Sequence, residues 1–513
     1  MDYKSYIADL HLNLHPSQIE ELDRWVDHCE RVSDFFTLAY YPYEMVEYPS
    51  GFGTEREMDP ELMREQWDQI CALLARREQE DGFVCLPGFE WQGTGEDGDH
   101  NVYFKTAAPI ALPARYEELV ETYRGQDSIG IPHHLAYARG NRGKNWDTHD
   151  ESFSPVAEIF SHHGSSERDL TSLPMERHIH MGPRVDETSV ASGLKRGMHV
   201  GLICSGDNHE VPAMVKYGRA GVWAREYSKD AIWDALTSRR TFGFTGSRID
   251  LWCEAEGHPL GSVFSTDADE VELSVDVRAN SKVERVELYR NGELEDVHVI
   301  RWHAPEATAG ESVRFKFRVE FGWGPNVRYF PEAIERIWEG TLATSGRVVG
   351  VEPVFSSFDN RFETVGEKAV SFSCKSQKVS GTHWVRDSSM RTEGYVFELE
   401  APLDSTVTLE VCGRSFEWSI KKILAGSFLE VFEDEAKELV RGASGIEEFY
   451  RGDAWYHNAY KLKVYQGFVC DLYEVSDSFV VRPEAEEQSW FVKVVQADGQ
   501  TAWASPIWIK CDS

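Results

Sequence analysis

Along roughly the first half of the chain, short apolar runs alternate with stretches whose apolar positions recur every three to four residues. Ser17–Glu20 forms a capping-box pattern, and Ile19, Leu22, Val26 and Cys29 follow at helical spacing, predicting a helix that stops near Ser33. Asp34–Ala39 then reads as a buried strand. Asp59-Pro60 sets an N-cap before a first-turn proline and opens a helix with Met63, Trp67, Ile70 and Leu74 on one face. Phe83–Leu86, Asn101–Phe104, Ser128–Pro132, Val156–Phe160, Val200–Cys204 and Ala220–Ala224 are further expected strands, and Ser228 caps a helix through Ile232 and Leu236. Strands alternating with helices imply parallel pairing with both faces covered. A closed or nearly closed barrel is the expected outcome.

After about Arg248 the pattern changes to period two. Val271–Val277, Val283–Tyr289, Val313–Val319, Tyr395–Leu399, Val407–Val411, Phe479–Val481 and Trp490–Val495 alternate or carry β-branched runs between Gly, Asn, Asp and Ser turns. Arg290-Asn291-Gly292 holds a hairpin-type Asn-Gly turn. The pattern predicts an α/β domain over 1–248 and a mainly antiparallel, sandwich-like β region over 249–513. A helical insertion is expected near 429–450, beginning in the acidic stretch Leu429–Arg441.

The candidate chemistry lies in the first domain. His11, Asn13, His15, Glu90, His100, His133, His134, His163, Asp207 and His209 are metal-type donors, most of them just after a short apolar run. In β/α folds chemistry collects at the carboxyl ends of strands, where residues distant in sequence can face one another. Imidazole and carboxylate donors suit zinc, manganese or iron. Of His133 and His134, His133 is favoured because it directly follows its strand and neighbouring strand residues face opposite ways.

Length and composition narrow the picture. At 513 residues the chain is too long for one ordinary core. No apolar run approaches the roughly 20 residues that span a bilayer. The start MDYKSYIADLHL has acidic residues and no apolar signal core, and the nine cysteines show no C-x-x-C pair, so a reducing, cytoplasmic setting is expected. The net charge of −34 argues against a nucleic-acid partner and leaves a small-molecule substrate as the expected one. The oligomeric state is not legible.

Taken together, the stretches GFEWQG…DGDHNVYF, IPHHLAY, AEIFSHHGSSE, ICSGDNHEVPA and AIWDALTSRRTFGFTGSRI resemble the PHP (polymerase and histidinol phosphatase) superfamily. The resemblance is to a branch that joins the barrel to a C-terminal β region, and VKVVQADGQTAWASPIW near the end shares in it. It implies a distorted seven-stranded β/α barrel with two or three divalent metals and metal-dependent hydrolysis, most often of phosphoesters. His11, Asn13, Glu90 and Asp207 would then hold one metal, and Glu90 would share a second with His133 and His163. His100 and His209 would complete the site or hold a third ion, helped by His15. Two departures count against that third ion: Asn13 stands where a second histidine is usual, and Tyr40-Tyr41 where Asp-His is usual.

In this reading a divalent cation activates water for attack. His209 or His100 protonates the leaving group, and Tyr41 or Tyr40 hydrogen-bonds the developing oxyanion. Arg139, Arg142 and Lys144 form a basic loop suited to an anionic substrate, with His180–Arg184 as a second candidate, Arg184 its cation. The alternative is an ester, amide or carbamate bound in an aromatic pocket of Tyr40, Tyr41, Trp91 and Trp146. A non-catalytic metal-binding module is the third reading.

Overall fold

The computed structural model describes residues 2–512 except 174, 176–180, 208, 210–216, 305–309, 327–329, 331–334, 355–357, 359 and 378–391. The chain forms two compact units. The first comprises Met1–Arg278, Val283–Ile300 and Val475–Ser513; the second comprises Ala279–Lys282 and Arg301–Glu474.

The first unit opens with β1 (Lys4–Ala8), β2 (Asn13–Leu14), α1 (Leu22–Val32), β3 (Phe36–Tyr40), β4 (Tyr43–Glu47), β5 (Gly53–Glu57), α2 (Pro60–Asp81) and β6 (Cys85–Trp91). It continues with β7 (His100–Phe104), α3 (Tyr116–Tyr123), β8 (Ser128–Pro132), β9 (Val156–Ser161), β10 (Gly164–Ser165), α4 (Val190–Lys195), β11 (Gly201–Cys204), β12 (Arg219–Ala224), α5 (Lys229–Thr237) and β13 (Thr241–Phe244). The helix caps act as their sequences predict. Asp59 accepts from the amides of Glu61 and Leu62, Pro60 opens α2, and Gly82 ends it at φ 71°. Ser228 accepts from the Ala231 amide at the start of α5. At Ser17 the outcome differs: Pro16–Glu21 is a 3₁₀ turn, Gln18 accepts the His15 amide at 3.0 Å, and α1 begins only at Leu22.

Pairing meets the barrel expectation in part. β2, β3 and β6 run parallel, as do β9 and β11. β7 and β8 instead join antiparallel, because the short link from β6 to β7 leaves no room for a crossover helix. β1 pairs antiparallel with β12, and β12 with β13. These strands therefore fall into three sheets, and the pairings among the described residues do not join them into one closed barrel. Their apolar faces still meet: Leu10, Leu86, Tyr103, Ile129, Ile131, Val156, Ile203 and Val222 share one core with Ile232 and Leu236 of α5.

The sheet begun by β1, β12 and β13 continues into the far end of the chain. β13 pairs with Thr501–Ala504, which pairs with Gln488–Gln496, and Val283–Arg290 and Glu293–Val299 follow. Asn291 and Gly292 make the hairpin turn between the last two with φ of 50° and 80°, as the Asn-Gly pair requires. The first unit thus extends past Arg248, where the sequence pattern changes. Phe491, Trp503 and Trp508 pack with Leu135, Trp146, Ile159 and Leu202 in a second core.

The second unit is antiparallel. One sheet orders Arg347–Pro353, Glu393–Pro402, Ser312–Trp323, Tyr460–Val464 and Phe428–Val431; the other orders Arg361–Val365, Ala369–Gln377, Glu335–Thr344, Thr406–Val411 and Arg414–Ser419. Phe321 of the first meets Trp338 and Phe372 of the second at ring centroid distances of 5.5 and 5.2 Å, so the two sheets face each other. The acidic helix runs Glu433–Ser444, ended by Gly445 at φ 67°, and Asp453–Asn458 adds a short one. No helix among the described residues is long and apolar enough to cross a membrane.

Candidate metal centre

Five segments of the first unit bring polar side chains to one buried place. His11 lies between β1 and β2, buried together with its neighbours Leu10 and Leu12, and Leu10 belongs to the core beneath the sheets. Glu90 comes from β6, His133 and His134 follow β8, His163 lies in the turn after β9, and Asp207 follows β11. His11 Nε2 lies 3.4 Å from Glu90 Oε2 and 3.3 Å from Asp207 Oδ1. His163 Nε2 is 2.7 Å from Asp207 Oδ2. The His133 ring is 4.1 Å from that of His11 and 4.4 Å from that of His134. Donor atoms of His11, Glu90 and His133, and of His133, His134 and Asp207, lie within 4.8 Å of one another, so each trio can hold a metal ion. His133 and His134 are therefore not alternatives. They lie beyond the end of β8, and His134 takes a left-handed φ of 36°, so the opposite-face rule for strands does not separate them.

The hydrogen bonds around this cluster fix which lone pairs converge. His11 Nδ1 donates to Glu158 Oε2 at 3.0 Å, which turns Nε2 toward the Glu90 and Asp207 carboxylates; against its burial, these acids raise the imidazole well above its ordinary value. Glu158 is itself held by the His134 amide at 3.0 Å and by the Ser205 hydroxyl. Tyr137 OH is 2.6 Å from His163 Nδ1 and serves that ring in the same way. Both ring nitrogens of His133, Nδ1 of His134 and Oδ1 of Asn13 are buried without a hydrogen-bond partner among the described residues. Buried polar atoms left unpaired cost about 1–3 kcal/mol each, and a cation would satisfy them. Asn13 presents its amide nitrogen, 3.2 Å from Asp207 Oδ1; half a turn of the amide would offer Oδ1 instead.

Electrostatics point the same way. Burial opposes charge on Asp207, but His11 and His163 hold its carboxyl well below the usual range. Glu90 is lowered against its own burial by the His11 hydrogen bond and charge, helped by Gln92. Burial drives His133 and His134 well below the ordinary imidazole value, so both rings keep lone pairs at neutral pH. Backbone strain gathers here too: Asp207, His134 and Arg142 have φ of 50°, 36° and 69°, uncommon for residues with a Cβ. Gly206 lies so close to Asp9 that a Cβ would meet Asp9 Oδ2 at 2.2 Å, and its amide donates to Asp9 at 2.6 Å.

Other expected residues are placed as follows. His15 and His209 sit at the edge of the cluster, 2.7 Å apart through their ring nitrogens, with Asn13 Nδ2 3.3 Å from His209 Nε2. The Tyr41 ring stands edge-on to His209, and its hydroxyl donates to Glu55 at 2.7 Å and accepts from Gln92 at 2.8 Å. Arg142 reaches Asp99 at 2.9 Å. His100 is not with the donors: Nδ1 meets the Gly98 carbonyl at 2.9 Å and Nε2 meets Lys144 Nζ at 3.1 Å, so neither nitrogen is open. Lys144 is consequently buried rather than on a basic surface. Arg139 pairs with Asp147, and Arg184 donates to the carbonyls of Ser165, Leu173 and Asp169, so both act structurally. His180 lies outside the described residues. The polar atoms of Tyr40, Trp91 and Trp146 bond Gln66, Pro113, and Thr188 with Ser189.

Sequence reasoning missed Glu158, Asp99, Gln92 and Tyr137. A lone carboxylate inside the apolar run VAEIF was the available clue to Glu158, since such a group is buried only with partners. The other three carried none.

A family model described as a protein of unknown function (DUF3604) matches residues 180–255. A protein of Chlamydia pneumoniae is 25% identical over 270 residues, covering 48% of this chain and 42% of that protein. One of Chlamydia trachomatis serovar D is 25% identical over 268 residues with the same coverage; both bear the name uncharacterized protein. The chain thus spans about two fifths of the length of these curated relatives. Among solved structures, a two-domain protein from Bacteroides vulgatus, "containing predicted PHP-like metal-dependent phosphoesterase", aligns over 82% of this chain and 95% of its own at 11% identity and a TM-score of 0.32.

Proposed function

We propose that the protein is a metal-dependent hydrolase acting on small phosphoesters. The observation that carries the reading is the convergence of His11, Glu90, His133, His134, His163 and Asp207 on one buried spot where His133 has no hydrogen-bond partner among the described residues. The donor set is nitrogen and oxygen without sulfur, which suits zinc, manganese or iron.

Bound there, a divalent cation would supply Lewis acidity and an activated water. The chain's own groups do the rest. Glu158 and Tyr137 keep His11 and His163 oriented. Gln92 donates to Glu90 Oε1 at 3.0 Å, leaving Oε2 toward His11. His209, less buried than the donors behind it and beside Tyr41, is the group placed to pass a proton to a leaving oxygen. Tyr41 adds little as an acid, because burial, then Glu90 and Glu55, push its hydroxyl well above its ordinary value.

Metal analysis of the purified protein, followed by a panel of phosphomonoesters, phosphodiesters and aryl esters, tests the proposal. Stoichiometric transition metal is expected, with turnover that chelation removes and Glu90→Ala abolishes. Turnover that survives in Glu90→Ala would refute it. An aryl-ester activity is the second reading, favoured by the rings of Tyr41, Tyr43, His15 and His209 packed at the cluster's edge. Aryl esters outpacing aryl phosphates in that panel would establish it.

A further inference from the structure

We infer that Arg142 is the specificity-determining residue of this site and that it selects a singly charged phosphate, making the substrate class phosphodiesters. This rests on the metal-dependent phosphoesterase reading and narrows it.

The guanidinium is built into place. Arg142 lies in the loop after β8 at φ 69°, its amide bonded to the Gly95 carbonyl at 3.1 Å. Gly143 beside it has no room for a side chain: a Cβ would meet the Tyr137 carbonyl oxygen at 1.9 Å. Ala138 O accepts from the amides of both Asn141 and Gly143, and Leu135 O from that of Lys144, so the loop is internally braced. Nη1 donates to Asp99 at 2.9 Å, and Nη2 lies 3.5 Å from Gln92 Oε1. The other end of the same Gln92 amide donates to Glu90 and to Tyr41. One side chain therefore ties the guanidinium to the carboxylate at the centre of the metal cluster. Asp99 is fully buried, yet the Arg142 side chain remains 34% exposed.

The other cations of this region are spent. Arg139 is held by Asp147, Lys144 is buried against His100, and Arg184 is bonded to backbone carbonyls. Arg142 itself is shared by Asp99 and, at 3.7 Å, by Glu55 of β5. It offers directed N–H donors whose positive charge is already offset by two carboxylates. A phosphodiester, with one charge on two free oxygens, fits that offer. A phosphomonoester dianion brings a second charge toward Asp99 and Glu55, which repel it. A neutral ester leaves the guanidinium unsatisfied.

The test is calorimetric binding of diphenyl phosphate, a monoanion, and phenyl phosphate, a dianion, to the metal-loaded protein, beside turnover of bis(4-nitrophenyl) phosphate and 4-nitrophenyl phosphate. Diphenyl phosphate is expected to bind about tenfold more tightly than phenyl phosphate. Arg142→Gln should weaken diphenyl phosphate by roughly tenfold or more, and Arg142→Lys by about threefold. Glu55→Gln keeps the acceptor for Tyr41 but removes one offsetting charge, and should narrow the preference about threefold even if Arg142→Gln does not fold. Tighter binding of phenyl phosphate, or a preference unmoved in Arg142→Lys and Glu55→Gln, overturns the inference. Absence of any turnover with the binding preference intact would instead overturn the hydrolase reading alone.

Discussion

Two buried polar clusters lie within the first unit, and they were built to opposite rules. Around His100 most groups among the described residues are paired inside the protein, the buried His149 ring excepted: Lys144 Nζ meets His100 Nε2, and Asp97 takes Arg115, Asn145, Thr148 and the Tyr116 amide. His100 stacks on Tyr116 at 4.7 Å, and Lys144 lies 4.3 Å above the same ring. Around His133 the same residue types stop short of satisfaction among the described residues, with three carboxylate and imidazole donors crowded about ring nitrogens that stay open. What separates a candidate site from a structural network is thus unmet bonding capacity, not the count of histidines and acids.

The contrast can be broken most decisively at Glu90. Glu90→Ala is expected to strip bound metal and lower turnover by about ten-thousandfold or more, roughly 5.5 kcal/mol, as read by metal analysis and steady-state kinetics. In the paired cluster the largest effect is on stability. Burial pushes Lys144 down to about 7, so between pH 7 and its ordinary value of 10.5 the unfolded chain binds the extra proton. The native state then gains stability as pH rises through that window and loses it as pH falls toward 7. Compared with Lys144→Met in denaturant titrations, the wild type should gain on the order of 4 kcal/mol across it, with metal content unaltered. A flat difference would place Lys144 in the wrong cluster. Next comes Glu158→Gln, which leaves the fold's shape but loosens His11; metal affinity should drop roughly 10- to 100-fold, measured by competition with a chelator. The smallest effect belongs to Arg139→Ala, whose exposed pair with Asp147 is worth less than about 0.5 kcal/mol, checked by thermal melting with metal bound.

How much of this was readable in advance follows from what a linear pattern encodes. Glu90, His133, His163 and Asp207 were legible because each trails or ends a short apolar run, and strand ends are where distant side chains meet. His100 has the same residue type but opens β7, and nothing in DGDHNVYF tells that Lys144 would close on it. Glu158 and His11 are 147 positions apart, and only the parallel alignment of β9 with β11 and its neighbours reveals that they touch. Strand direction was equally hidden: β7 shows the same apolar spacing as β3 and β6, yet it pairs antiparallel with β6 because the short link between them precludes a crossover. The closest approach between pattern and structure came at Ser128–Pro132, where expected and observed strand ends coincide.

The pairing of β13 with Thr501–Ala504 carries a consequence for biosynthesis. On the ribosome, β13 emerges some 250 residues before the strand that lies beside it, which brings Trp503 of the second core, and Trp508 follows. Until then β13 is an uncovered sheet edge over an unfilled apolar cavity, the kind of nascent surface that chaperones engage. The whole of Arg301–Glu474 must be translated before that edge is covered, so the unit that carries the candidate metal centre begins first and matures last.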